Sequence, residues 1–253
     1  MRSGERNEGP ISVIQRVTAV LTALESAPRP LGISELAERT GLAKGTVHRL
    51  VGQLEEERIV QRTEDSRLAL GVRLFELGSQ VALPRTLTDV ARPLMDDLHR
   101  ATDRQIHLAT LDGVDVVYIA IVHGGLPLSS TIGGRLPAHA TGVGKTMLAY
   151  SPRSVVDARV QAGLPAMTPR TIITPGGLAR DLQSIRSVGT SYDHEESHVG
   201  ISCVAAPVFG ADKRIRAAVS VTGHTPRMDL ERLGVAVRTA AFTISRLLRD
   251  AGL

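Results

Sequence analysis

LGISELAERTGLAKGTVHRLVGQLEEER, residues 31–58, reads as two short helices joined by a tight turn. The first is expected over residues 34 to 39 or 40, with Ser34 as its N-cap, because a Ser hydroxyl accepts from the free N–H groups of a first turn. Thr40-Gly41-Leu42 breaks it, since Gly41 is free to take a positive φ. The second runs from residue 44 to about 57. Val47, Leu50, Val51 and Leu54 recur there at i, i+3, i+4 and i+7, which makes one apolar stripe. Away from that stripe, near the helix start, stand Lys44, Gly45, Thr46, His48 and Arg49, while Glu55, Glu56 and Glu57 are displaced to the far end. A helix that buries one side and offers cations and small polar groups on the other fits a DNA major groove. Helical hairpins also occur in α-rich proteins that never touch DNA, so the neighbouring segments carry weight.

An apolar-periodic helix precedes the pair over residues 11–24, with Ile14, Val17, Val20, Leu21 and Leu24 on one face. Two strand-like runs follow, 59–63 and 67–70, around the turn residues Glu64-Asp65-Ser66. Three helices and a β-hairpin make a winged helix-turn-helix, and Arg67 sits on the wing, placed to meet phosphate or the minor groove. Charge does not mark this region as basic. Residues 1–80 hold 11 Lys and Arg against 11 Asp and Glu, and the remaining 19 and 15 lie in 81–253, out of 30 and 26 in all. Specificity must therefore come from a few placed residues rather than from bulk attraction.

The chain has 253 residues, enough for two domains and a sizeable core, and its 42% hydrophobic and 22% charged content is that of a soluble globular protein. A single cysteine, Cys203, excludes an internal disulfide and fits a reducing cytoplasm. No run of 18 apolar residues calls for a transmembrane helix, so no membrane partner is expected. MRSGERNEGP lacks an apolar signal core, and residues 1–9 read as a disordered tail. Aromatic content of 2% argues against single strands held by base stacking but leaves duplex recognition open.

Residues 71–83 and 87–102 follow as helical patterns, the second interrupted early by Pro93, and their place suggests linker or dimerisation helices over 73–102. From 103 onward the chain changes character. Strand-like runs at 105–111 and 114–122 join at Asp112-Gly113, a strong hairpin signal, and another pair, 199–208 and 214–222, turns at Gly210-Ala211-Asp212. Helical patterns occupy 141–149, 154–162, 178–187 and 229–249. Strands at both ends with helices between and after give an antiparallel sheet with flanking helices, an α+β domain over 103–253. The winged helix-turn-helix spans 10–72.

Three motifs in this second part invite chemistry. His194-Glu195-Glu196-Ser197-His198 matches H-E-x-x-H, which holds zinc only on a helix, where the two imidazoles lie about 6 Å apart. Here it follows Gly189-Thr190-Ser191 and runs into a β-branched strand, which would spread the rings to about 13 Å. Gly142-Val143-Gly144-Lys145-Thr146 resembles the end of a phosphate loop, but His139 stands where the loop needs its first Gly. A Gly-rich turn entering a helix still aims N–H groups at a small anion, a carboxylate as well as a phosphate. Cys203 lies mid-strand and reads first as a small buried thiol. Ser220 and Thr222 share a strand face, so both hydroxyls need partners, either structural ones or a ligand.

Taken together the chain resembles the IclR family of bacterial transcription regulators over roughly residues 10–250. The resemblance rests on Gly41-Leu42-Ala43-Lys44-Gly45-Thr46-Val47-His48-Arg49-Leu50, the wing leading to Leu70-Gly71, Arg135-Leu136-Pro137-Ala138-His139-Ala140-Thr141-Gly142-Val143-Gly144-Lys145 and the run from Asp193 to Val208. It implies an N-terminal winged helix-turn-helix and a C-terminal GAF-like effector domain, with dimers, often paired into tetramers, on palindromic double-stranded operators. It also implies a pocket for a small effector, typically a carboxylate, contacted at the positions of Gly142, Val143, Asp193, Cys203, Ser220 and Thr222. No cofactor and no metal are implied. Ala43 stands where many members have Ser, and Val143 and Thr222 where many have Ala and Ser, which bears on helix capping and pocket size. The competing reading is a hydrolase or metal-dependent enzyme using Cys203 or His194 and His198, decorated by the first 80 residues.

Overall fold

In the computed structural model, which describes residues 12–125 and 130–252 (the side chains of Leu83 and Pro84 excepted), the chain divides into two compact units, residues 1–82 and 83–253. The tail expected over 1–9 lies outside the described residues. The first unit carries α1 (Val13–Glu25), α2 (Ile33–Thr40), α3 (Lys44–Glu56), the hairpin strands β1 (Val60–Arg62) and β2 (Leu68–Leu70), and the short α4 (Val72–Gly78). α1 opens with a reciprocal cap: Ser12 Oγ accepts from the Gln15 N–H at 3.1 Å, and Gln15 Oε1 accepts from the Ser12 N–H at 2.8 Å. Gly41 ends α2 at φ 67°, the left-handed conformation the turn required. The α3 stripe of Val47, Leu50, Val51 and Leu54 is buried against Val20, Leu24, Leu36, Val60 and Leu68. Each such side chain contributes about 1.5–3 kcal/mol through burial.

The cap of α2 is not Ser34. The helix begins one residue earlier, at Ile33, and its N-cap is Gly32, which has no side chain to offer. Glu35 takes over from within the first turn. Its Oε2 accepts from the Gly32 N–H at 2.9 Å and from Arg67 Nη1 at 2.9 Å, while Oε1 accepts from Arg29 Nη2 at 2.6 Å. Arg67 also donates to the Pro30 carbonyl at 3.2 Å, and Leu31 and Leu68 exchange backbone hydrogen bonds at 3.0 and 2.8 Å. One carboxylate thus fastens the wing to the start of α2.

The second unit begins with α5 (Ala82–Thr102), followed by β3 (Gln105–Asp112), β4 (Asp115–Val122), β5 (Arg135–Pro137), α6 (Gly142–Ala149), α7 (Arg153–Gln161), α8 (Pro175–Val188), β6 (Ser191–His194), β7 (Ile201–Phe209), β8 (Ile215–His224) and α9 (Leu230–Asp250). The strands form one antiparallel sheet in the order β5-β4-β3-β8-β7-β6. The single helix expected over 71–83 is instead two pieces, since α4 stops at Gly78, and α5 runs without a break across Pro93. An internal Pro costs a helix about 3 kcal/mol. The cost is offset because Leu87, Ala91, Met95 and Leu98 lie along one face of α5 and are all buried in the core of the second unit. Among the described residues no helix is long and apolar enough to cross a membrane.

The period-two alternation of the sheet sorts its residues into two faces. Ile106, Leu108, Val204, Ala206, Val208, Ala217, Val219 and Val221 pack beneath α5 and α9. The alternate residues face α6 and α8, where Ala109, Val116, Ala205 and Ala218 meet Val143, Met147, Leu148 and Leu182. Polar groups of β3, β6, β7 and β8 gather on that second face.

The Glu35 junction predicts an acid response. Its carboxyl is lowered from 4.5 to about 2, first by the Arg29 bond and then by the Gly32 N–H. A group whose folded pKa lies below its unfolded value stabilises fully above the unfolded value and loses that contribution as pH falls through the folded one. Unfolding of the first unit should therefore become easier between pH 4.5 and about 2, and Glu35→Gln should flatten that part of the profile. Superimposable acid profiles for the two proteins would remove Glu35 from this role.

Candidate functional site

On α3 the N-cap is Ala43, which makes no side-chain cap; the Thr46 N–H donates to the Ala43 carbonyl at 2.8 Å, and the N–H groups of the exposed Lys44 and Gly45 lack a side-chain acceptor. Lys44, Gly45, His48 and Arg49 are exposed and Thr46 half-buried, opposite the buried stripe. Ion pairing explains how a unit with balanced charge still presents cations there. Arg29, Arg58, Arg62, Arg67 and Arg73 each hold a carboxylate. Arg39, Lys44 and Arg49 have none among the described residues. Arg67, expected at the wing, is engaged by Glu35 and by Asp65 at 3.3 Å. Arg39, at the last turn of α2, was not singled out from the sequence; no spacing signal marks it, and only the pairing pattern does.

The second site is a cavity on the α6 side of the sheet. Strand register builds it: Asp193 opposes Cys203, Cys203 opposes Thr222, and Thr222 opposes Gln105, while Ser220 opposes His107 in the next row. Val143, Asp193, Cys203, Ser220 and Thr222 line it as the sequence anticipated, and His107, Tyr118, Ser130 and His198 line it as well. Gly142 is not at the wall but presses on it. A Cβ there would lie 2.5 Å from Cys203 Sγ, and one on Gly144 would lie 2.2 Å from the Ala138 carbonyl oxygen, so only glycine lets α6 come down this far. Thr141 caps α6 by accepting from the Gly144 N–H at 3.0 Å.

Two carboxylates and a lysine lie behind this wall. Lys145 is fully buried, with Nζ 2.5 Å from Glu196 Oε1, 3.1 Å from Asp181 Oδ2 and 3.0 Å from the Tyr192 carbonyl oxygen. Burial pushes its ammonium down, but Glu196, Asp181 and Asp193 outweigh it and the pKa is raised. This lysine is committed inward, so the GVGKT run does not offer it to a phosphate. Asp193 Oδ1 accepts from the Glu196 N–H at 2.7 Å and Oδ2 from Ser197 Oγ at 3.1 Å. Burial raises the Asp193 carboxyl above the ordinary range. His107 is pushed down to about 4, by burial first and His123 second, so it is neutral at neutral pH; Thr222 Oγ1 and Ser130 Oγ lie 3.2 and 3.0 Å from its two ring nitrogens. Among the described residues no Lys or Arg lines the cavity.

The H-E-x-x-H run is not helical. His194 ends β6 and stacks on Tyr192 at 6.3 Å, a turn follows with Glu195 at φ 65°, and only His198 reaches the cavity. Among the described residues no group of three His, Cys, Asp or Glu is arranged to hold a metal ion. The Cys203 thiol is raised well above its usual value, by burial first and by the Asp193 carboxylate second. That is the reverse of what a nucleophilic thiolate needs.

Comparison with known proteins matches each unit separately. Residues 13–64 match the IclR helix-turn-helix domain and residues 80–246 the C-terminal domain of the bacterial transcriptional regulator IclR. The chain belongs to the IclR family. It is 31% identical over 245 residues to the HTH-type transcriptional regulator XynR of Escherichia coli, covering 94% of this chain and 97% of that one. It is 33% identical to the glycerol operon regulatory protein of Streptomyces coelicolor, covering 93% and 96%. Among solved structures, an IclR homologue from Microbacterium hydrocarbonoxydans complexed with 4-hydroxybenzoate superimposes with a TM-score of 0.87 at 26% identity, covering 94% of this chain and 100% of that one. The winged helix-turn-helix, the antiparallel sheet with flanking helices and the regulator reading of the sequence all hold. This IclR-family regulator therefore pairs a DNA-binding unit with an effector-binding one.

The close approach of α6 can be tested by volume. Gly142→Ala places a methyl 2.5 Å from Cys203 Sγ but at ordinary distances of 3.6 and 3.7 Å from the Asp193 and Ala205 Cβ atoms. It should cost about 1–3 kcal/mol in urea unfolding, the range for overpacking a filled core. Adding Cys203→Ala should recover part of that loss, since the two sites share one contact. Strict additivity in the double-mutant cycle would contradict the contact.

Proposed function

We propose that α3 reads operator DNA through Lys44, Thr46, His48 and Arg49, with Gly45 admitting the backbone closely and Arg39 adding a phosphate contact. The observation that carries this reading is the distribution of ion pairs: the cations of the first unit that have no carboxylate among the described residues include Lys44 and Arg49, on the exposed face of α3, and Arg39 beside it. The uncapped first turn of α3 supports it, because free N–H groups suit phosphate oxygens. Arg67 can reach DNA only by leaving Glu35 and Asp65, so its part is to hold the wing first and to meet phosphate second.

One reading helix contacts few base pairs, so useful specificity requires two copies on a palindromic double-stranded operator. Val72, Phe75, Leu77 and Val81, at and just beyond α4, are exposed apolar residues that support a homodimer through this segment. The protein then acts in the cytoplasm, where its operator is. Arg49→Ala should weaken operator binding by about 1–3 kcal/mol in a gel shift at fixed salt on the DNA upstream of its own gene. Arg62→Ala, which removes a cation already paired with Glu55, should change it little. Equal affinities for wild type, Arg49→Ala and Lys44→Ala would refute the assignment of α3.

The effector is a small carboxylate held by hydroxyls and backbone N–H groups at Val143, Asp193, Cys203, Ser220 and Thr222, with His107 as an added neutral partner and Gly142 acting from behind the wall by letting α6 approach Cys203. The relative with 4-hydroxybenzoate supports that class. A cavity that has no cation among its described residues and places Asp193 beside a carboxylate needs a proton between the two. Binding from a carboxylate panel that starts with 4-hydroxybenzoate should therefore take up a proton, seen as a buffer-dependent heat in titration calorimetry. Asp193→Asn keeps acceptors and donors for the 193–197 turn and should abolish that uptake; uptake that persists would place the proton elsewhere. The buried, raised thiol of Cys203 supports a regulator without hydrolytic turnover.

A further inference from the structure

We propose that the Tyr118 hydroxyl is the hydrogen-bond donor that receives the effector's carboxylate and selects for an anion in a cavity whose described lining holds no cation. The assignment rests on the carboxylate reading above and adds to it the residue that recognises the charge. A β-bulge brings Tyr118 to the wall. Tyr118 stands opposite Ala109 and Ala120 opposite Leu108, so Ile119 is an extra residue between them. Val116 and Tyr118 therefore face α6, while Ala120 and Val122 pack beneath α5 and α9. Bulges of this kind re-aim a side chain. Backbone bonds hold the residue from the other edge of β4: its N–H donates to the Gly134 carbonyl at 3.1 Å, and its carbonyl accepts from the Gly133 N–H at 2.8 Å. Ala109 across from Tyr118, and Ala218 across from Ala109, are small, which leaves the phenol ring room to lie toward the His107 ring, 5.1 Å away at 51°.

Hydrogen bonding separates this hydroxyl from most others of the cavity. Thr222 Oγ1 and Ser130 Oγ lie 3.2 and 3.0 Å from the ring nitrogens of His107, Ser197 Oγ donates to Asp193 at 3.1 Å, and Thr141 Oγ1 accepts from the Gly144 N–H at 3.0 Å. The side-chain hydroxyls of Tyr118 and Ser220 have no hydrogen-bond partner among the described residues. Tyr118 is only 7% exposed. A buried hydroxyl without a partner is costly, and buried phenols usually find one. At a cavity wall that partner is a ligand. Of the two free hydroxyls the phenol is the more acidic and so the better donor to an anion. Burial first, then the charges of Cys203 and Asp193, raise its pKa, so it keeps the proton it donates. Asp193 meets a carboxylate only through a shared proton, whereas Tyr118 brings its own.

Tyr118→Phe removes the hydroxyl and keeps the ring, so titration calorimetry and urea unfolding of the full-length protein test the assignment. The probes are 4-hydroxybenzoate, benzoate, propionate and acetate, which share a carboxylate and differ in bulk. Whichever of them wild type binds, Tyr118→Phe should bind about tenfold or more weakly, as for loss of a hydrogen bond to a charged group. With no probe present the variant should unfold at the wild-type urea midpoint, because no protein partner is lost. A variant that binds the probes as wild type does, or one whose midpoint falls without a probe as it would for a lost buried hydrogen bond, would overturn the proposal. A wild type that binds none of the four fails the carboxylate reading and this proposal with it. Binding that Ser220→Ala weakens and Tyr118→Phe leaves unchanged fails this proposal alone.

Discussion

The effector unit depends on the buried ammonium of Lys145. It joins α6, which carries the residue, to Asp181 on α8, to the Tyr192 carbonyl on β6 and to Glu196 in the turn after β6. A buried ion pair is weak evidence of net stability, because removing two charges from water costs several kcal/mol each. What it supplies is position. With Glu196 fixed by Lys145, the Glu196 N–H is fixed on Asp193, and the Asp193 carboxylate is held at the cavity wall facing Cys203. Gly142 and Gly144 let α6 settle far enough for this geometry to close. The run that resembles a phosphate loop is thus spent on folding: its glycines bring a helix onto a sheet, and its lysine points away from any ligand.

In the DNA-binding unit the corresponding economy concerns charge. Eleven cations against eleven acids in residues 1–80 promise no attraction to DNA. The fold changes that balance locally by pairing five arginines with carboxylates on the wing, α2, the far end of α3 and α4, while Lys44 and Arg49 have no such partner among the described residues. Glu35 is central to the sorting, since it pairs with Arg29 and Arg67 at once, with Asp65 as the second carboxylate on Arg67. A net-neutral domain with a locally cationic helix binds through a few contacts, so its affinity should depend less steeply on salt than that of a uniformly basic domain.

Local signals were legible in the sequence and long-range ones were not. The stripe of α3, the Gly41 turn and the Asp112-Gly113 hairpin follow from periodicity and backbone freedom and hold in the structure. Five of the six anticipated effector positions line the cavity because family motifs carried them there. His107, Tyr118 and Ser130 were missed because nothing local says that β3 pairs with β8 in the register that sets His107 against Ser220. Ser34 misled for a related reason. A Ser before an apolar run is a good cap in isolation, yet the cap lies two residues earlier, at Gly32, where Glu35, held by Arg67 of the wing, accepts the free N–H. Pro93 misled because burial along α5 outweighs the local cost of an internal proline.

The size of these terms limits how regulation can work. Three or four side chains on one reading helix supply about 1–3 kcal/mol of discrimination each, which reaches the roughly 4–10 kcal/mol that separates operator from bulk DNA only if nearly every contact is a good bidentate one, and the proposed pair of helices removes that demand. On the proposed dimer, effector binding would control DNA through the relation between the two copies rather than by dismantling either helix. A coupling of about 1–3 kcal/mol is enough to shift such a pair between arrangements. That is close to what one proton or one buried hydrogen bond contributes at a polar wall. A cavity that, among the described residues, is lined by a raised carboxyl, a neutral imidazole and two hydroxyls and by no cation can supply that much.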